Sequence, residues 1–259
     1  MLKNKKIGLA LGSGGARGFA HIGVLKVLEE NHIKIDYIAG ASIGAVVGGL
    51  YAAHQDVKEL EEIVETTDWT RFVSLLDPSL KNGLLHGEKA RQFIEGYMGK
   101  IKFSDTRIPF AVAATDYKTG DPVILRKGLV SPAIRASMSV PLAFKPFEYD
   151  GKLLLDGGMS LPVPVKTVRE MGADIVIAVN LDGAYFANSS EDYGYAELAF
   201  RSFNMLRYNL AEQMVKEADV VVAPDVGHVL WYHFVTGKEC LKAGEKAMKE
   251  KMADLLKMI

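Results

Sequence analysis

The sequence predicts an α/β fold built around a largely parallel sheet. Three observations carry this. Short apolar runs rich in β-branched residues alternate with stretches of helical period along the chain. Two of the early strand-to-helix joins are glycine-rich, at Gly12–Gly18 and Gly40–Gly44. Ile175–Asn180 and Val220–Ala223 are continuous apolar runs, as strands buried on both faces require.

In order, Lys6–Leu11 reads as a strand and Gly18–Asn31 as a helix. Ile35–Ala39 is a strand, and Ile43–His54 a helix. Phe110–Thr115 and Val123–Leu125 read as strands joined through Lys118-Thr119-Gly120-Asp121, which has the residue types of a turn. Lys152–Leu155 is a short strand. Leu198–Lys216 and Leu241–Met258 have helical spacing on either side of the last strand. Ala184–Gly194, rich in Ser, Asn, Asp and Gly, reads as a mobile loop. With no linker or repeat, residues 1–259 are expected to form a single domain.

Composition excludes some functions. A formal net charge of -1 lacks the basic footprint of a nucleic-acid binder. One cysteine, Cys240, allows no intrachain disulfide and suits a reducing compartment. The basic Met1–Lys6 and apolar Ile7–Leu11 imitate a signal peptide, but Gly12-Ser13-Gly14-Gly15 interrupts the apolar run. No apolar run approaches the roughly 20 residues that span a bilayer. A cytoplasmic protein is expected, meeting any lipid at a membrane surface or as a dispersed monomer. No metal-binding motif is present, and no cofactor is expected.

Gly40-Ala41-Ser42-Ile43-Gly44 is a G-x-S-x-G sequence between a strand and a helix. Such a turn holds its serine in a strained conformation with the hydroxyl exposed, and it needs small neighbours. The same residues also suit a packing contact with Ser42 as a helix N-cap. Gly12-Ser13-Gly14-Gly15-Ala16-Arg17-Gly18 follows the first strand. Its spacing fails for a dinucleotide fingerprint, because Arg17 stands where the third glycine belongs, and it lacks the ending of a P-loop. As an oxyanion hole it would offer backbone N–H groups to the charge that builds during acyl transfer, each worth about 3–4 kcal/mol.

Ser42 needs a base. His228 or His233, with Asp156 or Asp182, follows the Ser, acid, His order of one hydrolase class. Asp156, closing an apolar strand before Gly157-Gly158, is the other candidate, and it also suits a plain strand-to-turn Asp-Gly.

Four segments, "LGSGGARGFAHIGVLKVLEE", "DYIAGASIGAVVGGLYA", "IRASMSVPLAFKPF" and "LLLDGGMSLPVPV", together resemble the patatin-like phospholipase family in order and approximate spacing. The match is similar to the small single-domain bacterial members. It implies a three-layer fold, a mostly parallel central sheet flanked by helices. It implies a dyad in which Ser42 is the nucleophile and Asp156 the base, an oxyanion hole from the N–H groups of Gly14 and Gly15, and no histidine. Gly12, Arg17, Gly40, Gly44, Gly157 and Gly158 match the supporting motif positions, and Ser137–Pro141 the third motif. Ser13 stands where the family usually has glycine, and Leu161 where it often has asparagine.

The implied substrates are fatty-acyl esters, phospholipids among them, with transient membrane-surface contact. Wall residues are expected from "VPLAFKPF" and from "YAELAFRSFNMLRYNL", whose Leu198, Phe203, Met205, Leu206 and Tyr208 suit a core helix or an exposed surface equally well. The latter leaves room for a homodimer. Leu241, Met248, Met252, Leu255 and Met258 are expected to cap the core beneath a solvated lysine face.

Overall fold

A computed structural model describes residues 5–70, 87–183 and 194–259, with the side chains of 196 and 197 excepted. The strands are β1 (Ile7–Leu11), β2 (Tyr37–Ala41), β3 (Phe110–Asp116), β4 (Pro122–Leu125), β5 (Phe147–Tyr149), β6 (Lys152–Asp156), β7 (Ile175–Val179) and β8 (Val220–Val222). The helices are α1 (Phe19–Glu30), α2 (Ile43–His54), α3 (Val57–Thr66), α4 (Glu88–Met98), α5 (Val130–Ser137), α6 (Val165–Glu170), α7 (Tyr195–Met214) and α8 (Gly237–Leu256). The strands pair in the order β5-β6-β3-β2-β1-β7-β8, with β4 also on β3. From β3 to β8 the pairings along this path are parallel; β4, β5 and β6 pair antiparallel.

Alternation along the strands makes the layers. Leu9, Leu11, Ile38, Phe110, Val112, Ile175, Ile177 and Val179 enter a large apolar core with α1 to α5 and α8. Their neighbours Ala10, Ala39, Ala111, Val176 and Ala178 point to the other face, where Val165 and Val168 of α6 and Ala211 of α7 cover them. Large side chains on one face and small ones on the other let thick and thin helical layers pack on one sheet. The α8 residues Leu241, Met248, Met252 and Leu255 are buried, and α8 packs along α1.

Several elements lie outside the sequence expectation. β2 starts at Tyr37, two residues later than expected, because Asp36 instead accepts hydrogen bonds from the Ile7 N–H and the Lys6 ammonium. α3 is an amphipathic helix capped by Asp56, whose carboxylate accepts from the Lys58 N–H at 2.9 Å. α4, α5, α6 and β5 were likewise not expected. Residues 184–193 of the expected mobile loop lie outside the described residues.

The register of β3 places the two ends that matter. Ala113 pairs with both Ala41 of β2 and Ile124 of β4, and Ala114 pairs with both Asp156 of β6 and Val123 of β4. β2 and β6 therefore share the edge of β3 opposite β4. β2 runs parallel to β3 and β6 antiparallel, so their C-terminal ends meet head to head at adjacent residues of β3.

Candidate active site

Ser42 follows β2 directly and sits at φ 54°, ψ -123°, a sparsely populated conformation that costs of order 1–3 kcal/mol. Its neighbours hold it there. The Ser42 N–H donates to Ser137 Oγ at 2.7 Å, and the Ser137 hydroxyl donates to the Ala113 carbonyl at 2.6 Å. A Cβ at Gly40 would lie 2.3 Å from the Gly44 oxygen, and one at Gly44 would lie 2.2 Å from the Leu11 oxygen. The turn closes only because neither exists. Ser42 makes no side-chain cap bond to α2. Its hydroxyl donates instead to Asp156 Oδ2 at 2.6 Å.

Asp156 is 3% exposed. Its Oδ1 accepts from the Gly158 N–H at 2.7 Å, its own N–H donates to the Ser139 carbonyl at 3.0 Å, and its carbonyl accepts from the Thr115 hydroxyl at 2.8 Å. Burial pushes the Asp156 carboxyl up to about 6; the hydrogen bonds from Ser42 and Gly158 and the charge of Arg207 pull the other way. A carboxyl in that range is a competent base near neutral pH.

The glycine loop lies between β1 and α1. The N–H groups of Gly12, Ser13 and Ala16 donate to the carbonyls of Val179, Pro162 and Trp231. Among the described residues, those of Gly14 and Gly15 have no acceptor. Arg17 is fully buried. Its Nε donates to the Gly14 carbonyl at 3.1 Å, and its Nη1 lies 3.2 Å from Asp182 Oδ1. Arg17 thus braces the loop from behind. His21 does the same from α1, donating from Nε2 to the Gly12 carbonyl at 2.8 Å, and burial lowers its imidazole to about 4, which keeps it neutral.

Ser42 lies in the wall of a cavity of about 950 Å³, open mouth included. Ile43, Val46, Val47 and Leu50 form one wall along α2, Leu60 and Ile63 of α3 and Phe93 and Ile94 of α4 face it, and Val140, Phe144, Trp231 and Phe234 line it too. Ser42 carries the only hydroxyl among the lining residues described. Such a surface accepts hydrocarbon and little else.

The histidines stand apart. His228 bonds Glu239 at 2.7 Å, and the His233 ring packs edge-on to Tyr232. Neither bonds Ser42 or Asp156. Asp182, read as a partner for such a histidine, sits between Arg17 and Arg207.

The aromatic stretch corrects an expectation. Asn204, Arg207 and Ala211 form the buried face of α7, while Leu198, Met205 and Leu206 are exposed and none of them lines the cavity. From "VPLAFKPF", Val140 and Phe144 line it and Leu142 is exposed. Arg207, Trp231 and Phe234 had been missed. The i, i+3, i+7 spacing of 204, 207 and 211 marks a helical face, but a polar one, which reads from sequence as solvated.

A family model described as patatin-like phospholipase matches residues 9–169, from β1 through most of α6. The chain belongs to the patatin-like phospholipase family. An uncharacterized NTE family protein of Mycobacterium tuberculosis is 41% identical over 180 residues, covering 69% of this chain and 50% of the relative. Lysophospholipase nte1 of Neurospora crassa is 32% identical over 74% of this chain and 13% of its own length. Neuropathy target esterase sws of Drosophila melanogaster is 30% identical over 78% of this chain and 15% of its own. The chain thus spans half the length or less of these relatives. The patatin-like fold is shared with VipD from Legionella pneumophila, at TM-score 0.65 and 12% identity over 96% of this chain and 66% of that one. Type III effector protein ExoU matches at TM-score 0.51 and 13% identity, over 97% and 53%. No helix among the described residues is long and apolar enough to cross a membrane.

Proposed function

We propose that this patatin-like chain is a serine acyl hydrolase that cleaves fatty-acyl esters, phospholipids and lysophospholipids among them, through a Ser42–Asp156 dyad. The observation that carries the reading is the 2.6 Å hydrogen bond from the Ser42 hydroxyl to a buried carboxylate, made at the wall of an apolar cavity.

In this reading the acyl chain lies along α2 with its carbonyl at Ser42. The Ser42 oxygen attacks the carbonyl carbon as Asp156 takes its proton. The carbonyl oxygen becomes an oxyanion that accepts from the N–H groups of Gly14 and Gly15. Collapse expels the alcohol, which takes the proton from Asp156, and leaves an acyl ester on Ser42. Water then gives a proton to Asp156 and attacks the ester. The second collapse returns that proton to Ser42 and frees the fatty acid.

The test is labelling with a fluorophosphonate, the modified peptide being found by mass spectrometry. The wild type is expected to be labelled at Ser42. Ser42→Ala is expected to lose both labelling and ester hydrolysis, and Asp156→Asn to label far more slowly. A folded wild type that takes no label, or hydrolysis at the wild-type rate in either variant, overturns the reading.

A further inference from the structure

The glycine loop is held from two sides, and α7 stands behind both. On one side Arg17 donates to the Gly14 carbonyl and meets Asp182, which Arg207 of α7 grips in turn. On the other side stands Trp231. Its carbonyl accepts from the Ala16 N–H at 2.7 Å. A Cβ on Gly15 would lie 2.4 Å from that carbonyl oxygen and 3.0 Å from the Trp231 Cβ, so the two backbones are in direct contact. Gly15 sits at φ 61°, a conformation that glycine adopts without cost. Trp231 thus takes up the N–H next to the two that have no acceptor among the described residues, and it closes the loop over Gly15.

The indole fixes where that carbonyl stands. It stacks on Phe200 of α7, with centroids 4.9 Å apart and planes 21° apart, and it meets Tyr232 edge-on at 5.5 Å. The turn that carries Trp231 is tight, closed by the His233 N–H on the Leu230 carbonyl at 3.0 Å, so ring and carbonyl move together. Trp231 and Gly15 line the cavity with Ser42, whereas Phe200 is not among its lining residues. Trp231 and Phe200 both lie beyond the residues matched by the family model.

We propose that Trp231 is a positioning residue for the oxyanion hole: anchored on Phe200, its carbonyl holds Ala16 so that the N–H groups of Gly14 and Gly15 stay free and fixed beside Ser42. The inference rests on the reading of Ser42 as an acyl-hydrolase nucleophile. Oxyanion donors act because they are already in place when the charge develops. Removing one outright costs about 100-fold or more in kcat. A donor that stays but wanders costs less, about tenfold. The hole serves acylation and deacylation alike, so kcat falls whichever step limits. Ground-state binding of the ester uses the hole little, so KM holds.

The experiment measures kcat and KM for p-nitrophenyl acetate in the wild type, Phe200→Ala, Phe200→Tyr and Trp231→Leu. Circular dichroism checks the fold, and fluorophosphonate labelling counts the active sites. Phe200→Ala and Trp231→Leu are expected to lose about tenfold in kcat per labelled site, with KM within about twofold of the wild type. Phe200→Tyr keeps the stacked ring and is expected to stay within about twofold in both constants. An unmoved kcat in folded Phe200→Ala, an equal loss in Phe200→Tyr, or a raised KM at unchanged kcat overturns the proposal. If Phe200→Ala does not fold, Trp231→Leu is read by the same rule. A wild type labelled at Ser42 beside variants of unmoved kcat fails only the role of Trp231. A folded wild type that takes no label fails the hydrolase reading, and this inference with it.

Discussion

Arg207 closes on Asp182 with two hydrogen bonds, 3.0 Å from Nε to Oδ2 and 2.7 Å from Nη2 to Oδ1, in a part of the fold where the carboxylate is 2% exposed. Arg17 reaches the same carboxylate from the other side at 3.2 Å. The arrangement ties α7 to the loop that carries Gly14 and Gly15. Removing the shared anion leaves two buried guanidiniums facing each other. Asp182→Ala is expected to lose about 3–5 kcal/mol of stability. Arg207→Met, which leaves Asp182 paired with Arg17, is expected to lose less. Urea denaturation of both variants gives the order, and the reverse order would remove Asp182 from the centre of the cluster.

In the proposed dyad the carboxyl of Asp156, which burial pushes up to about 6, sets the pH dependence of catalysis. The base form is needed, so kcat/KM is expected to rise from pH 5 to a plateau above pH 7. One unit below the midpoint the rate is about tenfold under the plateau. A pH series with a short-chain ester locates the midpoint. One near pH 4 would mean that Asp156 is not desolvated in solution.

The same group works against stability. Its pKa in the folded chain is raised above the ordinary value of 3.8. Its contribution is therefore fully present below pH 3.8 and is lost as pH rises through about 6. Above that, the buried charge costs about 3 kcal/mol. Asp156→Asn keeps an oxygen to accept from Gly158 and carries no charge. It is expected to be more stable than the wild type at pH 8, with the gap closing by pH 4. Denaturant midpoints at the two pH values test this, and equal midpoints at pH 8 would count against it.

Val46 lines the cavity one helical turn beyond Ser42 on α2 and is half-buried. Val46→Trp is expected to shorten the space open to an acyl chain. Hydrolysis of a long-chain p-nitrophenyl ester should fall about tenfold or more, with the acetate affected far less. Equal losses on both esters would place the acyl chain elsewhere.

Much of this fold is legible in the residues, because one-dimensional signals carry it. The β-branched runs mark the central strands, and the glycines of the elbow mark a turn too tight for a Cβ. The ordered motifs then suggest which serine and aspartate belong together. What they do not show is how β6 reaches Ser42. A strand such as Lys152–Asp156 reads the same whichever edge it joins, and only the pairing of Ala114 with Asp156 settles that. The cavity is hidden for the same reason: α3 and α4 have ordinary amphipathic patterns, and their place over α2 is set by packing. The pattern of α7 leaves core and surface equally open. Leu198, Met205 and Leu206 face out and Arg207 faces in, and the Asp182 carboxylate beneath Arg207 cannot be seen along the chain.

The head-to-head meeting of β2 and β6 on one edge of β3 also orders events during synthesis. A chain leaving the ribosome carries Ser42 more than a hundred residues before Asp156. Until β6 has been made and laid against β3, the elbow serine has no acceptor for its proton. Under the proposed mechanism an unfinished chain is then inactive toward acyl esters, and its first hydrolysis would announce that the sheet has closed.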